Sequence, residues 1–328
     1  MKDNLGWGIL ATGWIAELFT RDLLLCGYPV VAVGSRSEEK AREFAGRLGI
    51  SKAHGSYQEL VSNPDVDIVY VATPHPFHAE CAMLALKAGK HVLIEKPFTL
   101  NAKEARAVVD FAESQGLVVM EAMWTRFLPH MVRIREVVQS GALGEIRSLT
   151  ADHRQALSDD PAHRMNALAL GGGALLDLGI YPISFACEIL GLPTSIHASA
   201  RFKPTGVDAE VSTLMRHKNG AISATISASD YAGPNTATVV GSKAWLNIAS
   251  YWYQPTNFEV VDHSGRVLER FEQKVAGRGM QYQAEEMVRL IASGTISSDI
   301  MSPADSIDIM AVLDAVRTQI SLCYPGEI

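Results

Sequence analysis

Cysteine is scarce: four residues, at 26, 81, 187 and 323, stand far apart with no Cys-x-x-Cys pair among them. That excludes a disulfide-built scaffold and a thiolate metal cluster. The four read instead as small buried apolar residues of a reducing compartment. The ten histidines have no zinc spacing either. His75 and His78 are three apart, but Pro76 between them spoils a shared helical face, and no metal site is expected. Positive charge is also short: 29 Lys and Arg against 36 Asp and Glu give a net charge of −7, with no basic run. A nucleic-acid partner is therefore not expected. The start "MKDNLGWGIL" lacks a charged region followed by a long apolar core, so no signal peptide is read and a cytoplasmic location is the expectation. The most membrane-like window, residues 173–192, contains Asp177, Pro182 and Glu188. All three are costly in lipid, so that window is expected to be a helix buried in protein, and no membrane partner is expected. There is no internal repeat and no low-complexity tract.

What is present is apolar material, 48% of 328 residues with 20% charged, enough for sizeable cores. At roughly 150 residues per domain the length implies about two. Up to residue 122, near-continuous apolar runs at 6–10, 29–35, 66–73, 91–96 and 117–122 alternate with helix-like segments near 14–25, 37–48, 76–88 and 101–115. Continuous runs indicate parallel strands covered on both faces, and repeated strand–helix units indicate right-handed crossovers. Asn101 with Glu104 three residues later predicts a helix cap. The expected first domain, 1–122, is an α/β Rossmann-like doubly wound parallel sheet. Beyond it the texture changes to alternating runs such as "IRSLTADHRQ", "AEVSTLMRH" and "AISATISASD", with "KNG" at 218–220 as a tight turn. Helices are expected near 128–140, 171–190, 280–293 and 303–321. The second domain, 123–328, is thus expected to be α+β with a mostly antiparallel open sheet, its C-terminal helix packing back on the first domain.

Two registers of a dinucleotide-binding loop overlap near the start. Gly6, Gly8 and Ala11 match Gly-x-Gly-x-x-Ala; so do Ala11, Gly13 and Ala16, except for alanine at the first position. The loop works only after a strand and before a helix, where backbone N–H groups and the helix N-terminus face a pyrophosphate. The second register, Ala11-Thr12-Gly13-Trp14-Ile15-Ala16, meets that condition, at the cost of a turn that tolerates a Cβ at 11. The second strand then ends in Ser35, Arg36 and Ser37, with no acid until Glu38. A guanidinium and hydroxyls suit a 2′-phosphate, so NADP is expected, with NAD as the alternative dinucleotide.

Lys96 and Pro97 fall at the carboxyl end of the fifth apolar run, the edge where open α/β sheets bind ligands. In "GGGALLDLGIYPISF" three glycines would let a helix start against another backbone, and Asp177 and Tyr181, four apart, would share one face. Each alone reads as packing or helix-start charge. Together on an apolar face they need a polar reason to be buried. A phenol with a pKa near 10 is a poor base at neutral pH, but a nearby ammonium such as that of Lys96 favours the phenolate. The same pair returns a proton to an alkoxide in the reverse direction, and Asp177 would hold the lysine or a substrate hydroxyl.

With these residues on the page the chain resembles the glucose–fructose oxidoreductase and inositol dehydrogenase family (Gfo/Idh/MocA), end to end. The pieces that carry the resemblance are "GILATGWIA", "GSRS", "ATPHPFH", "IEKPFTLNAKEA", "EAMWTRFLP" and "GGGALLDLGIYPI". Its branch of dimeric dihydrodiol dehydrogenases and NADP-dependent D-xylose dehydrogenases, with tyrosine where many relatives have histidine, is the most similar. The resemblance implies Lys96 and Tyr181 as the catalytic pair with Asp177 in support. It implies a cofactor cleft along Ala11 to Ile15, Ser35, Arg36, Ser37, Thr73, Pro74, His75, His78, Glu95, Lys96, Trp124 and Arg126. It also implies a homodimer or higher homo-oligomer through the second sheet. Ala11 and Tyr181 are the two departures from the commoner family pattern. For a small-molecule substrate, residues 150–166 are expected to contribute, with Arg154, His163 and Arg164 as polar candidates. The expected function is hydride transfer between NADP and a hydroxyl of a sugar, cyclic polyol or trans-dihydrodiol. Reduction of a keto-sugar or dicarbonyl, or a non-catalytic NADP(H) sensor, stand as alternatives.

Overall fold

A computed structural model describes residues 5–327 of the chain. It forms two compact units, one of residues 5–124 with Ala276–Ile307 and the other of Thr125–Val275 with residues 308–327.

The first unit runs β1 (Trp7–Leu10), α1 (Trp14–Leu25), β2 (Val30–Gly34), α2 (Glu38–Leu48), β3 (Lys52–His54), α3 (Tyr57–Ser62), β4 (Ile68–Val71), α4 (His78–Lys87), β5 (His91–Glu95), α5 (Ala102–Ser114) and β6 (Val119–Ala122). The six strands are parallel in the order β3-β2-β1-β4-β5-β6, reversing direction of growth between β1 and β4. β1, β4 and β6 are buried at every position, as continuous apolar runs demand of strands covered on both faces. Asn101 caps α5, its side-chain oxygen accepting the Glu104 N–H at 3.0 Å, while Glu104 Oε2 accepts from Leu100 N–H at 3.1 Å. β3 and α3 were not anticipated. β3 is a three-residue edge strand, too short to carry a periodic signal.

The second unit contains α6 (Pro129–Gln139), β7 (Ile146–Arg154), α7 (Ile180–Leu190), β8 (Pro193–Phe202), β9 (Asp208–His217), β10 (Ile222–Ala228), β11 (Ala237–Gly241), β12 (Ala244–Ile248), β13 (Phe258–Asp262) and β14 (Val267–Phe271). Its eight-stranded sheet has the order β14-β13-β12-β11-β7-β10-β9-β8. Pairing is mostly antiparallel, as expected, and β7 and β10 run parallel. α7 lies between them in sequence and packs on both, a crossover that only a parallel pair requires. The predicted turn at 218–220 closes β9 onto β10, with Gly220 at φ +84 and its N–H on the His217 carbonyl at 2.9 Å.

Two expectations are corrected. The sequence assigned everything after residue 122 to the second domain. However, α8 (Gln281–Ser293) packs on α1 and belongs with Ala276–Ile307 to the first unit. The division then falls inside α9 (Pro303–Gln319). The helix expected over 171–190 is not uniform either. Leu175–Gly179 forms a wide π turn, with the Ile180 N–H on the Leu175 carbonyl, before α7 proper. Pro182 lacks the N–H that would bond residue 178, which is the usual reason for such a distortion. This segment, Leu168–Leu190, is apolar and long enough to cross a membrane, yet most of it is buried within the protein.

Candidate active site

The ends of four parallel strands bring most of the predicted cofactor residues to one edge of the first unit. β1 stops at Leu10, and Ala11 turns the chain at φ +92, its N–H on the Gly34 carbonyl at 2.9 Å. That left-handed conformation is one that L-residues rarely adopt, so the turn tolerates its alanine under strain. Gly13 is the N-cap of α1 and supplies no side-chain cap, so N–H groups of the first turn face outward. A Cβ on Gly13 would meet nothing within 4 Å, which leaves open space in front of the helix. The competing glycines serve packing. A Cβ on Gly6 would lie 2.1 Å from the Asp65 carbonyl oxygen, and one on Gly8 2.8 Å from the Val66 side chain. Of the two registers, the second is therefore the one at a strand end and a helix start, where a diphosphate loop has to lie.

At the end of β2, Ser35 is buried and its Oγ accepts the Ser37 N–H at 3.3 Å, while Ser37 caps α2 through the Lys40 N–H at 3.4 Å. Arg36 is exposed and hydrogen bonded to the Tyr57 hydroxyl, whose pKa burial raises and Arg36 partly offsets. Tyr57, on the unanticipated α3, thus steadies the guanidinium that the 2′-phosphate reading requires. A cationic arm and two hydroxyls at this strand end fit the extra phosphate of NADP.

After β4 the chain passes Thr73, Pro74 and a single 3-10 turn, His75–Phe77, into α4. His75 is 4% exposed and His78 fully buried. The His78 ring nitrogens lie 2.7 Å from the Pro97 carbonyl oxygen and 2.8 Å from that of Thr73, and burial pushes its pKa down to about 3. This corrects one expectation. His78 does not face a cofactor; it ties the loop after β4 to the loop after β5. Glu95 closes β5, buried, accepting a hydrogen bond from the Tyr70 hydroxyl and, at 3.2 Å, from the Lys96 N–H. Lys96 follows, half-buried, at the same edge as Ala11, Ser35 and Thr73.

In the second unit one of the three glycines, Gly172, meets another backbone as predicted, and Gly173 meets a side chain instead. A Cβ on Gly172 would lie 2.7 Å from the Met165 carbonyl oxygen, and one on Gly173, at φ +120, 1.9 Å from Asp208 Oδ1. Asp208, fully buried, accepts the Leu175 N–H at 2.6 Å and so caps the helix that carries Asp177 and Tyr181. Desolvation raises its pKa to about 7 against the pull of backbone N–H groups and Arg317. Asp177, buried, takes Arg164 at 3.2 Å, which joins a predicted catalytic residue to a predicted substrate residue. Tyr181 is buried edge-on to His153, ring centroids 4.9 Å apart, and His153 stacks on Tyr253 at 3.6 Å. Gln155 Nε2 reaches His153 Nε2 at 2.7 Å and the Tyr253 hydroxyl at 3.5 Å. Burial, then the neighbouring Tyr181 and Tyr251, push the Tyr253 pKa up.

Three other predicted residues make contacts of their own. Arg126 is buried, donating to Ser184 Oγ at 3.0 Å and its carbonyl at 3.2 Å, so it ties into α7. Arg154 bonds Asp152 at 3.0 Å and lies over Tyr231. His163 is exposed, and its Nδ1 accepts the Met165 N–H at 3.3 Å.

Comparison with known proteins accords with this geometry. Residues 5–123 match a model described as an oxidoreductase family with an NAD-binding Rossmann fold, and residues 131–247 match the Gfo/Idh/MocA C-terminal domain. A trans-1,2-dihydrobenzene-1,2-diol dehydrogenase of Mus musculus is 38% identical, covering 98% of this chain and 99% of that protein. The chain belongs to the Gfo/Idh/MocA oxidoreductase family. A D-xylose 1-dehydrogenase (NADP(+)) of Hypocrea jecorina is 36% identical over 98% of this chain and 93% of its own length. Among solved structures, an aldose–aldose oxidoreductase of Caulobacter crescentus, complexed with glycerol, superposes with a TM-score of 0.87 at 26% identity, covering 97% of this chain and 98% of that one. Within this Gfo/Idh/MocA chain, sequence reasoning missed Tyr57, Asp208, His153, Gln155 and Tyr253. Each acts through a contact between segments distant in sequence. The one local cue was the aromatic cluster "YWY" at 251–253.

Proposed function

We propose that this protein is an NADP-dependent dehydrogenase that transfers hydride between the nicotinamide and a hydroxyl-bearing carbon of a sugar, cyclic polyol or trans-dihydrodiol. The observation that carries the reading is full-length similarity to enzymes named for oxidising a diol and an aldose. Arg36 and the serines at the end of β2 support NADP over NAD. The nicotinamide, when bound, supplies hydride acceptance or donation. The turn from Ala11 to Ile15 and the uncapped start of α1 hold the diphosphate. Ser35, Arg36 and Ser37 take the 2′-phosphate, and Thr73, Pro74 and His75 line the same strand edge. Tyr181 carries the substrate proton, taking it during oxidation and returning it during reduction, and Lys96 supplies positive charge at the end of β5. Asp177 and Arg164 form a charged pair one helical turn from Tyr181, suited to orienting hydroxyl groups. The aromatic neighbours His153 and Tyr253 fix the Tyr181 ring.

The test is absorbance at 340 nm with NADP and then NAD against D-xylose, D-glucose, myo-inositol and a trans-dihydrodiol. NADP reduction with an aldose or diol supports the reading. Silence across the panel, with NADP binding measured separately, favours a carbonyl reductase or a sensor. We also infer a homo-oligomer through the second sheet, supported by the exposed apolar side chains Phe202, Leu214 and Ile222 on β8 to β10. Light scattering on the purified protein checks it.

A further inference from the structure

We propose that Arg278 is a cofactor-binding residue that grips the diphosphate of the dinucleotide; this rests on the cofactor reading above. Arg278 stands on the loop before α8, far in sequence from every strand of the first unit. Its guanidinium carbon lies over the ring of Trp14 at 5.5 Å and over that of Trp124 at 5.7 Å. Trp14 is the first residue of α1, directly after the Gly13 turn, and is 70% exposed. Trp124 follows the end of β6 on the same unit. The arginine therefore bridges two indoles beside the start of α1.

The loop that carries it is built, not incidental. The carboxylate of Asp22, 4% exposed on α1, accepts the Arg278 N–H at 3.0 Å and the Met280 N–H at 2.9 Å. Gly277 has φ +60, and a Cβ there would lie 2.2 Å from Asp22 Oδ1, so only glycine lets the loop come this close. Backbone bonds to a buried carboxylate hold the residue, so the loop needs no ion pair from its side chain.

The side chain also lacks an anion. Among the described residues no carboxylate pairs with the Arg278 guanidinium, and its Nε is buried with no acceptor. By contrast Arg21 and Arg47, on the neighbouring helices, both pair with Glu17. A guanidinium whose faces meet aromatic rings keeps its edge N–H groups for acceptors in the ring-free plane. Phosphate oxygens suit that fork, and the diphosphate is the anion that belongs at the Gly13–Trp14 turn. The 2′-phosphate belongs at Arg36, on the next strand end.

That separation sets the test. Calorimetric titration of the full-length protein would compare NADP, NAD and adenosine 2′-monophosphate, which has the 2′-phosphate and no diphosphate. Arg278→Ala is expected to weaken NADP and NAD by similar factors, about tenfold or more, and to leave adenosine 2′-monophosphate unchanged. Arg278→Gln should behave the same way and Arg278→Lys should recover part of the affinity, with melting temperatures near the parent in each. Unchanged dinucleotide affinity in a folded Arg278→Ala protein overturns the proposal, as does an equal loss for the monophosphate. Failure of the parent protein to bind either dinucleotide overturns the cofactor reading itself.

Discussion

Replacing Asp208 by asparagine should remove a pH-dependent weakness from the second unit. Asp208 is fully buried, and its carboxyl titrates at about 7 in the folded protein against 3.8 ordinarily. Burial is the main cause, opposed by backbone N–H groups of Leu175 and Ala174 and by Arg317, while Tyr324 packs on the same side with its hydroxyl on the Gly172 carbonyl at 3.1 Å. A carboxyl whose folded pKa lies above its unfolded one gives stability that is complete below about pH 4 and is lost as pH rises to about 7. Between those values the folded chain keeps a proton that the unfolded chain has released. The gap of about three pH units, at about 1.4 kcal/mol each, corresponds to about 4 kcal/mol. For a cooperative unit of this size that is roughly 10 °C in melting temperature. Asparagine retains an oxygen for the Leu175 N–H and carries no charge at any pH. The assay is thermal melting of parent and Asp208→Asn at pH 5, 6, 7 and 8. The difference should favour the variant increasingly from pH 5 to about pH 7 and level off by pH 8. Parallel pH profiles would refute the assignment of a buried, late-ionising carboxyl at this position.

Tyr181→Phe keeps the ring against His153 and removes the hydroxyl, so turnover should fall by about 10²-fold or more with melting unchanged. Near-normal steady-state turnover would take the proton-transfer role away from it. Arg36→Ala should weaken NADP at least tenfold while sparing NAD, read as separate dissociation constants. Equal losses would remove the 2′-phosphate from this strand end.

Much of the first unit was legible because its signals are local. Continuous apolar runs exposed β1, β2, β4, β5 and β6, and the glycine turn, the Ser-Arg-Ser end of β2 and Lys96 all follow strand ends directly. His78 shows the limit of that reading. Its place in "ATPHPFH" suggested a cleft residue, yet burial and the carbonyls of Thr73 and Pro97 make it a tie between two loops. Arg126, in "WTRFLP", likewise donates to Ser184, 58 residues away, a partner that no local pattern announces.

By itself the sequence determined the fold class and the NADP cofactor, and it offered a register of the phosphate loop and Lys96, Asp177 and Tyr181 as candidates. These depend on residue type and spacing within a few positions of a strand or helix end. Only the tertiary structure decided that Asp208 caps the Tyr181 helix, that β7 pairs parallel with β10, and that Asp22 brings Arg278 beside Trp14 from 256 residues away. Such contacts leave no periodic trace, because a buried carboxylate needs only one backbone N–H in reach and the chain between them is free to be any length.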